Sequence, residues 1–470
     1  MIEFARVARS LLLCGIGGVM AACTDERPAA PPREPNHLDV LLCVIDTLRA
    51  DRLGCYGADR PTSPTVDRLA GEGVRVVDCC AQSSWTGPSM VSMFTSRRLS
   101  ADFVHMPDTE TLTRRLRRRG YATLAAQYNS LLAPGNGYDR DFDQYLTFPP
   151  PKKIGAALAK VGDKPLFFYL HLADPHDPYE PTKPHDRFAP RPLEPERAAR
   201  VEQFVRASMA GAAKADQDAA VRKTLDAMAA ERGRYDGDVH QADGRLAAVL
   251  EMLRRSGRLE RTIVVIAADH GETLFEHEET PSALSDTEAV DAMQRFKRGH
   301  NAVLTEVLLR VPLIFHGPGV PRGLVHPGPT ENIDIVPTVL ELLGIDPDGH
   351  LDGTSLVGDF AMLANGEVPT GREFVFANTK LLTSVRHRSG AKLVRPWSHD
   401  VPERPQFFDL TTDPFELRPL GIDDERAERL TEAIKRMRSA ALRPTNAEDT
   451  IDPLVFERMR ELGYIGDEER

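Results

Sequence analysis

The sequence predicts an α/β fold: a large domain on a central, mostly parallel or mixed sheet flanked by helices, then a smaller C-terminal domain of antiparallel strands and a helix. Two observations carry this expectation. Three apolar runs, "DVLLCVID" ending at Asp46, "PLFFYLHLAD" ending at Asp174 and "TIVVIAAD" ending at Asp269, are continuous rather than alternating, as in strands buried on both faces. Helical patterns lie between them, which gives the alternation of an α/β sheet. From about Glu373 the pattern changes to short strands with turns.

Residues 1–22 read as a secretory leader. Arg6 and Arg9 precede the apolar "SLLLCGIGGVM", and small residues follow. The apolar run is too short for a comfortable membrane span. Its exit reaches Cys23 after Ala21 and Ala22, which resembles a bacterial lipobox with Met20 where leucine is commoner. That resemblance implies lipidation of Cys23 and export to the bacterial cell envelope, periplasm or outer membrane, with membrane contact through the N-terminal lipid alone. Residues 23–37, with "TDERPAAPPREP", are polar and proline-rich and suit an extended tether. The large domain is then expected over 38–370 and the small one over 371–470.

Within the large domain, Pro88 suits the first turn of a helix that opens at "SSWTGPSM" and continues through "MVSMFTSRR". "TLTRRLRRRG" places Leu112 and Leu116 on one helical face, and the five arginines between Arg114 and Arg119 read as a solvated face. The segment from about Glu194 to Arg255 is helical, "VPLIFHGPG" reads as a fourth strand, and "NIDIVPTVLELLGI" as a helix with Asp334 near its start. The small domain takes "EFVFANTK", "TSVRHRSGAKLVRP" and "PQFFDLTTDP" as strands, closed by a helix around "ERLTEAIKRMRSAAL".

With 41% hydrophobic and 27% charged residues, the composition is that of an ordinary globular chain. A net charge of −11 argues against nucleic acid as a partner. It leaves anionic small substrates open, because a site can be locally positive inside an acidic protein. Beyond Cys23 only Cys43, Cys55, Cys79 and Cys80 remain, too few for a disulfide scaffold at this length. Cys43 belongs to an apolar strand; the adjacent Cys79 and Cys80 leave a redox pair as an alternative.

Ligands of such sheets collect beyond the carboxyl ends of the strands. All three apolar runs end there on an aspartate, two of them with a histidine close by. One aspartate is ordinarily a turn residue; three together point to a metal-dependent site. Asp46, Asp269 and His270 are candidate ligands of one divalent ion, with the Thr86 hydroxyl as a further ligand. A metal lowers the pKa of a bound hydroxyl, and a helix N-terminus adds partial positive charge. Thr86 is therefore a candidate nucleophile as well as a candidate helix cap. His176 in "DPHDPY" and His300 in "KRGHNAV" are candidates to bind substrate oxygens or to protonate a leaving alcohol. Lys297 is a further candidate cation for the substrate.

Nine pieces in chain order carry a family resemblance: "VIDTLRADRLGCYG", "SSWTGPSMVSMFTSR", "HLADPHDPY", "TIVVIAADHGE", "LLRVPLIFHGPG", "NIDIVPTVLELLGI", "LDGTSL", "FFDLTTDPFELRPL" and "RELGYIG". Together they resemble the sulfatase family of the alkaline phosphatase superfamily. The resemblance implies an alkaline-phosphatase-like α/β core, hydrolysis of sulfate esters or sometimes of phosphate esters or phosphonates, and one divalent metal.

The departures from that pattern shape the chemistry. The family's Cys or Ser, any residue, Pro, any residue, Arg becomes Thr86-Gly87-Pro88-Ser89-Met90. Oxidising threonine gives a ketone, so no formylglycine is expected. The family's paired aspartates are Asp46-Thr47, and its Asp-Asn pair is Asp269-His270. A hydroxyl and an imidazole in place of a carboxylate and an amide favour Mn²⁺ or Zn²⁺ over Ca²⁺. Thr86 with Asp269-His270 is similar to the threonine-nucleophile phosphotransferases and phosphodiesterases of the superfamily. The expected activity is thus metal-dependent hydrolysis of an anionic sulfate or phosphate ester. Two alternatives stand beside it: transfer or diester cleavage of envelope head groups, and a non-catalytic surface protein that keeps the fold for binding.

Overall fold

A computed structural model of the chain describes residues 38–99, 106–278, 296–300, 303–379, 381–397 and 404–441. Residues 1–37, which hold the expected leader, Cys23 and the expected tether, lie outside the described residues.

The strands of the large sheet are β1 (Asp39–Ile45), β2 (Val74–Cys80), β3 (Ala122–Gln127), β4 (Gln144–Thr147), β5 (Leu166–Leu172) and β6 (Thr262–Ala267). After a separate hairpin of β7 (Thr273–Glu278) and β8 (Phe296–Gly299), the sheet resumes with β9 (Arg310–His316), β10 (Leu324–His326) and β11 (Thr330–Glu331). The order is β10-β2-β9-β6-β1-β5-β3-β4, with β11 also paired to β2. β9, the expected fourth strand, runs antiparallel to β2 and β6, and the other pairs are parallel, so the sheet is mixed.

Helices α1 (Pro64–Gly71), α2 (Thr86–Thr95), α3 (Leu112–Arg118), α4 (Pro151–Ala159), α5 (Pro195–Ser208) and α6 (Lys214–Arg255) lie between the strands. Every residue of β1, β5 and β6 is buried, as their unbroken apolar runs require. Burial of each leucine, isoleucine or phenylalanine contributes about 1.5–3 kcal/mol, which holds the strand ends in fixed places. Cys43 is part of this core.

Two details differ from the sequence reading. The stretch from Glu194 to Arg255 is two helices, because Gly211 takes a left-handed φ of 94° between α5 and α6. Arg115 is buried, bonded to the Asp348 carbonyl, while its arginine neighbours on α3 ring it with surface ion pairs. Cys43, Cys55, Cys79 and Cys80 are free thiols, and burial pushes the Cys79 and Cys80 thiols well up, against a redox role.

The second sheet is antiparallel: β12 (Phe374–Asn378), β13 (Leu382–His387), β14 (Ala391–Pro396) and β15 (Gln406–Asp409). The helix Glu425–Ala440 packs Leu430, Ile434 and Met437 against Val385, Leu393 and Phe407. Among the described residues, no helix is long and apolar enough to cross a membrane.

Candidate active site

The parallel strands deliver their last residues to one end of the sheet. β1 ends at Ile45, and the next residue, Asp46, is fully buried. β6 ends at Ala267, two residues before the equally buried Asp269 and His270. Thr47 carries a φ of 55°, outside the usual range of a β-branched residue. Its amide donates to Asp269 Oδ1 at 3.2 Å, which ties the ends of the two strands together. The His270 amide donates to the same oxygen at 2.9 Å.

α2 begins at the site. Trp85 occupies its N-cap position, so Thr86 is the first helical residue rather than the cap. The buried Thr86 hydroxyl faces His270 Nε2 at 3.4 Å. Ser89, one turn on, donates to the Asp269 carbonyl at 2.5 Å and anchors the helix start there. Met90, the next residue of α2, is fully buried and brings no cation.

His270 is the hub. Its Nδ1 sits 2.9 Å from the Gly271 carbonyl, which can only accept, so Nδ1 bears the proton and Nε2 presents a lone pair. Asp269 Oδ2 is 3.6 Å and Asp46 Oδ1 3.9 Å from that nitrogen. Both oxygens are buried without a hydrogen-bond partner among the described residues, as is Thr47 Oγ1. Orphaned buried carboxylate oxygens cost several kcal/mol unless a cation meets them. A divalent ion fits this donor set.

Two residues that the sequence reading did not single out complete the surroundings of Asp46. His171, inside β5, places Nε2 at 3.1 Å from Asp46 Oδ2, and its Nδ1 is 2.8 Å from the Tyr169 hydroxyl. Asn129, just beyond β3, donates to the same Asp46 oxygen at 2.6 Å. Asp46, His171 and Asp269 each place one ligand atom within 4.8 Å of the others, a grouping able to hold a metal. Asp174 turns elsewhere, accepting from Gln241 at 2.6 Å and pairing with Arg245 at 3.0 Å.

The remaining candidates form one face. The His300 ring lies 4.4 Å from that of His270 and 5.1 Å from that of His176. His300 Nδ1 is 3.2 Å from Glu272 Oε1, and His176 Nδ1 is 2.7 Å from the Asp177 carbonyl. The structure thus gathers Asp46, Thr86, Asp269, His270, His176 and His300. Lys297 lies on β8, but its side chain falls outside the described residues.

The electrostatics separate these groups. Burial raises the Asp46 carboxyl, but the His171 hydrogen bond and the nearby His176 imidazole outweigh it and hold the group well below the usual carboxylate range. Burial and the neighbouring Asp46 push Asp269 up to about 6. Burial lowers the His270 imidazole, which keeps it neutral. Burial opposes charge on His176 too, yet Asp46 and Glu272 prevail and raise it above its ordinary value. The pocket therefore offers ionised carboxylate and a neutral imidazole on one side and a charge-bearing imidazole on the other.

The chain is similar to known proteins in sequence and in fold. The sulfatase family profile matches residues 39–345. The chain is 25% identical over 526 aligned residues to Arylsulfatase D of Homo sapiens, covering 86% of this chain and 85% of that protein. It is 27% identical over 195 residues to Arylsulfatase K of Danio rerio, a match spanning 40% of this chain but only 34% of that protein. Among solved structures, the phosphonate monoester hydrolase of Agrobacterium radiobacter superposes with a TM-score of 0.64 at 19% identity, over 86% of this chain and 96% of that one. A protein solved in complex with D-glucosamine-2-N,6-O-disulfate superposes with a TM-score of 0.60 at 18% identity, over 92% and 100%. At such identities the superpositions speak for the fold alone. The profile spans well over half of the chain, from the first strand to the helix beyond β11, and encloses every metal-facing residue described above: the chain belongs to the sulfatase family.

Proposed function

We propose that the chain is a metal-dependent hydrolase of sulfate or phosphate esters in which Thr86 replaces formylglycine as the nucleophile. One observation carries the reading: the buried Thr86 hydroxyl at the start of α2 faces the lone pair of His270, beside two carboxylate oxygens that lack partners among the described residues. Asp46, Asp269, His270 and Thr86 itself would hold one divalent ion. His171 and Asn129 fix Asp46 by its other oxygen. A nitrogen ligand and a hydroxyl favour Mn²⁺ or Zn²⁺ over Ca²⁺ in this set. Such an ion, when bound, lowers the pKa of a hydroxyl and polarises ester oxygens.

The helix start at Thr86 adds partial positive charge where the ester's oxygens become more negative. With its hydroxyl proton released to solvent, Thr86 Oγ attacks sulfur or phosphorus, the bond from that atom to the alcohol oxygen breaks, and Thr86 carries the sulfuryl or phosphoryl group until water removes it. His176 and His300, whose rings lie next to His270, bind the anion and supply a proton to the leaving oxygen. Threonine ester chemistry is well suited to phosphorus, whereas the family likeness supports sulfur. "MIEFARVAR" and "MAAC" support export and lipid attachment at Cys23.

The test is a turnover screen of sulfate and phosphate monoesters and diesters with purified chain, joined to metal analysis and mass spectrometry of the Thr86 peptide trapped during turnover. A mass increment on that peptide equal to SO₃ or HPO₃ supports the reading and names the element attacked. Absence of turnover from metal-replete protein on every ester would leave a binding protein on this fold. The mass of the mature N-terminus checks lipid on Cys23.

A further inference from the structure

Beside the metal-facing residues, a cleft of about 380 Å³ opens between the ends of β3 and β5 and the middle of α6. It meets the site through Asn129, which holds Asp46, and through His176. Past Tyr128, Phe148 and Arg245, which line both, it continues into a second groove of about 430 Å³. The two halves differ in chemistry. The near half carries Asp174, Asp177, Glu180 and Asp238 against Arg245 and His176. The far half is apolar, walled by Ile154, Leu170, Leu172, Val249 and Met252 and floored by Pro149 to Pro151.

The ring that joins them is held in place by construction. Phe148 is 51% exposed yet adopts a φ of 47°, a left-handed conformation unfavourable for a bulky residue. Its amide donates to the Gln127 carbonyl at 2.8 Å, and its ring meets Tyr128 edge-on at 6.3 Å. The Tyr128 hydroxyl donates to the Pro149 carbonyl at 2.6 Å, and the Arg245 guanidinium lies 5.5 Å from its ring centre. Strained residues cluster at ligand-contact sites, and Phe148 holds its exposed ring where the two grooves meet.

We infer that this continuous channel receives the alcohol part of the ester, and that the alcohol is an uncharged molecule with an apolar or aromatic body rather than a polyanionic glycan. Asp177 and Glu180 keep the near half acidic beside an Asp174 already paired with Arg245, which disfavours further sulfate or carboxylate groups on the substrate. Asp238 fits the same setting: burial first, and then the nearby Asp174, push its carboxyl up to about 8, so it lines the cleft as a largely uncharged group at neutral pH. The apolar half then recovers binding by removing the alcohol's hydrocarbon surface from water. The identity of the cargo as a leaving alcohol rests on the ester chemistry proposed above; the preference of the channel does not.

The test is equilibrium binding, which needs no turnover and so fails independently of that chemistry. 2-Naphthol and a trisulfated disaccharide are titrated into the purified full chain and into two variants with altered walls, Phe148→Ala and Met252→Arg, with thermal melts to verify folding. Expected are measurable 2-naphthol binding, its weakening about fivefold in each variant, and weaker binding of the disaccharide than of 2-naphthol. Glu180→Gln, at an exposed position, should raise disaccharide affinity and leave 2-naphthol unchanged. Tighter binding of the disaccharide than of 2-naphthol, or 2-naphthol binding that neither wall variant alters, would overturn the inference.

Discussion

Thr86 is the proposed nucleophile, and the first test falls there. Its hydroxyl is buried at a helix start and 3.4 Å from a lone pair, so removing it deletes the proposed attacking atom while the pocket remains. Thr86→Ala should lower kcat by about a thousandfold or more, whereas Thr86→Ser keeps an oxygen in place and should retain a measurable fraction. Steady-state kinetics on the best ester from the screen decide it, and equal activity in Thr86→Ala would remove threonine from the mechanism. His171 offers a second test through the metal. It touches Asp46 on the oxygen that also accepts from Asn129, so it orients the carboxylate. His171→Ala should weaken metal affinity about 10–100-fold with the fold intact, measured by chelator competition. That Asp46, Asp269 and His270 lie together at one end of the sheet was legible in the sequence, because they follow apolar runs that read as buried strands. His171 was not, because it sits inside such a run, where one histidine among leucines and aromatics reads as a core residue. Only the pairing of β1 with β5, which sets Val44 beside His171, brings it to Asp46.

The turn after β6 shows how an element sets the chemistry of a side chain. The Gly271 carbonyl fixes the proton on His270 Nδ1, and Gly271 has no room for a side chain: a Cβ there would meet the Val307 carbonyl oxygen at 2.1 Å. The Gly271 amide also donates to the Leu308 carbonyl at 2.7 Å, which presses the turn against the short helix Glu306–Leu309. Gly271→Ala must therefore move this turn and with it the imidazole. We expect a loss of metal affinity and a fall in kcat of about a hundredfold, with a smaller change in KM. Calorimetric metal titration and kinetics on one preparation check it; unchanged metal affinity would show that the turn does not set the ligand. At this scale the sequence carried the helices and strands well. It missed the break at Gly211 between α5 and α6, since helical periodicity on both sides hides one glycine-containing turn. It also could not foresee the channel, whose walls come from β5, α4 and α6, segments far apart in the chain.

The two sheets are joined by charge as well as by packing, and that join is where the stability of the whole molecule should respond to pH. Lys392 of β14 is fully buried; it donates to the Leu304 carbonyl at 2.6 Å and lies 2.8 Å from both Glu306 and Glu416. Burial works against its charge, but Glu306 and Glu416 raise it above its ordinary value. Burial likewise opposes ionisation of Glu306, yet Lys392 and Arg386 hold that carboxyl well below the usual range. The signs follow from linkage. A depressed carboxyl contributes stability above its unfolded value, near 4.5, and loses it as the pH falls toward the folded one. A raised lysine contributes below its unfolded value, near 10.5, and loses it as the pH climbs through the folded one. The pair is thus worth most between these limits. Lys392→Met keeps the packing but takes the ammonium from two buried carboxylates, Glu306 keeping Arg386 at 3.5 Å and the more distant Arg310. It should cost about 3–5 kcal/mol at pH 7. At pH 3 the cost should be much smaller, because both carboxyl groups of the variant can take up protons. Urea unfolding of both proteins at the two pH values measures the difference, and an equal loss at pH 3 and pH 7 would mean that shape rather than charge joins the sheets.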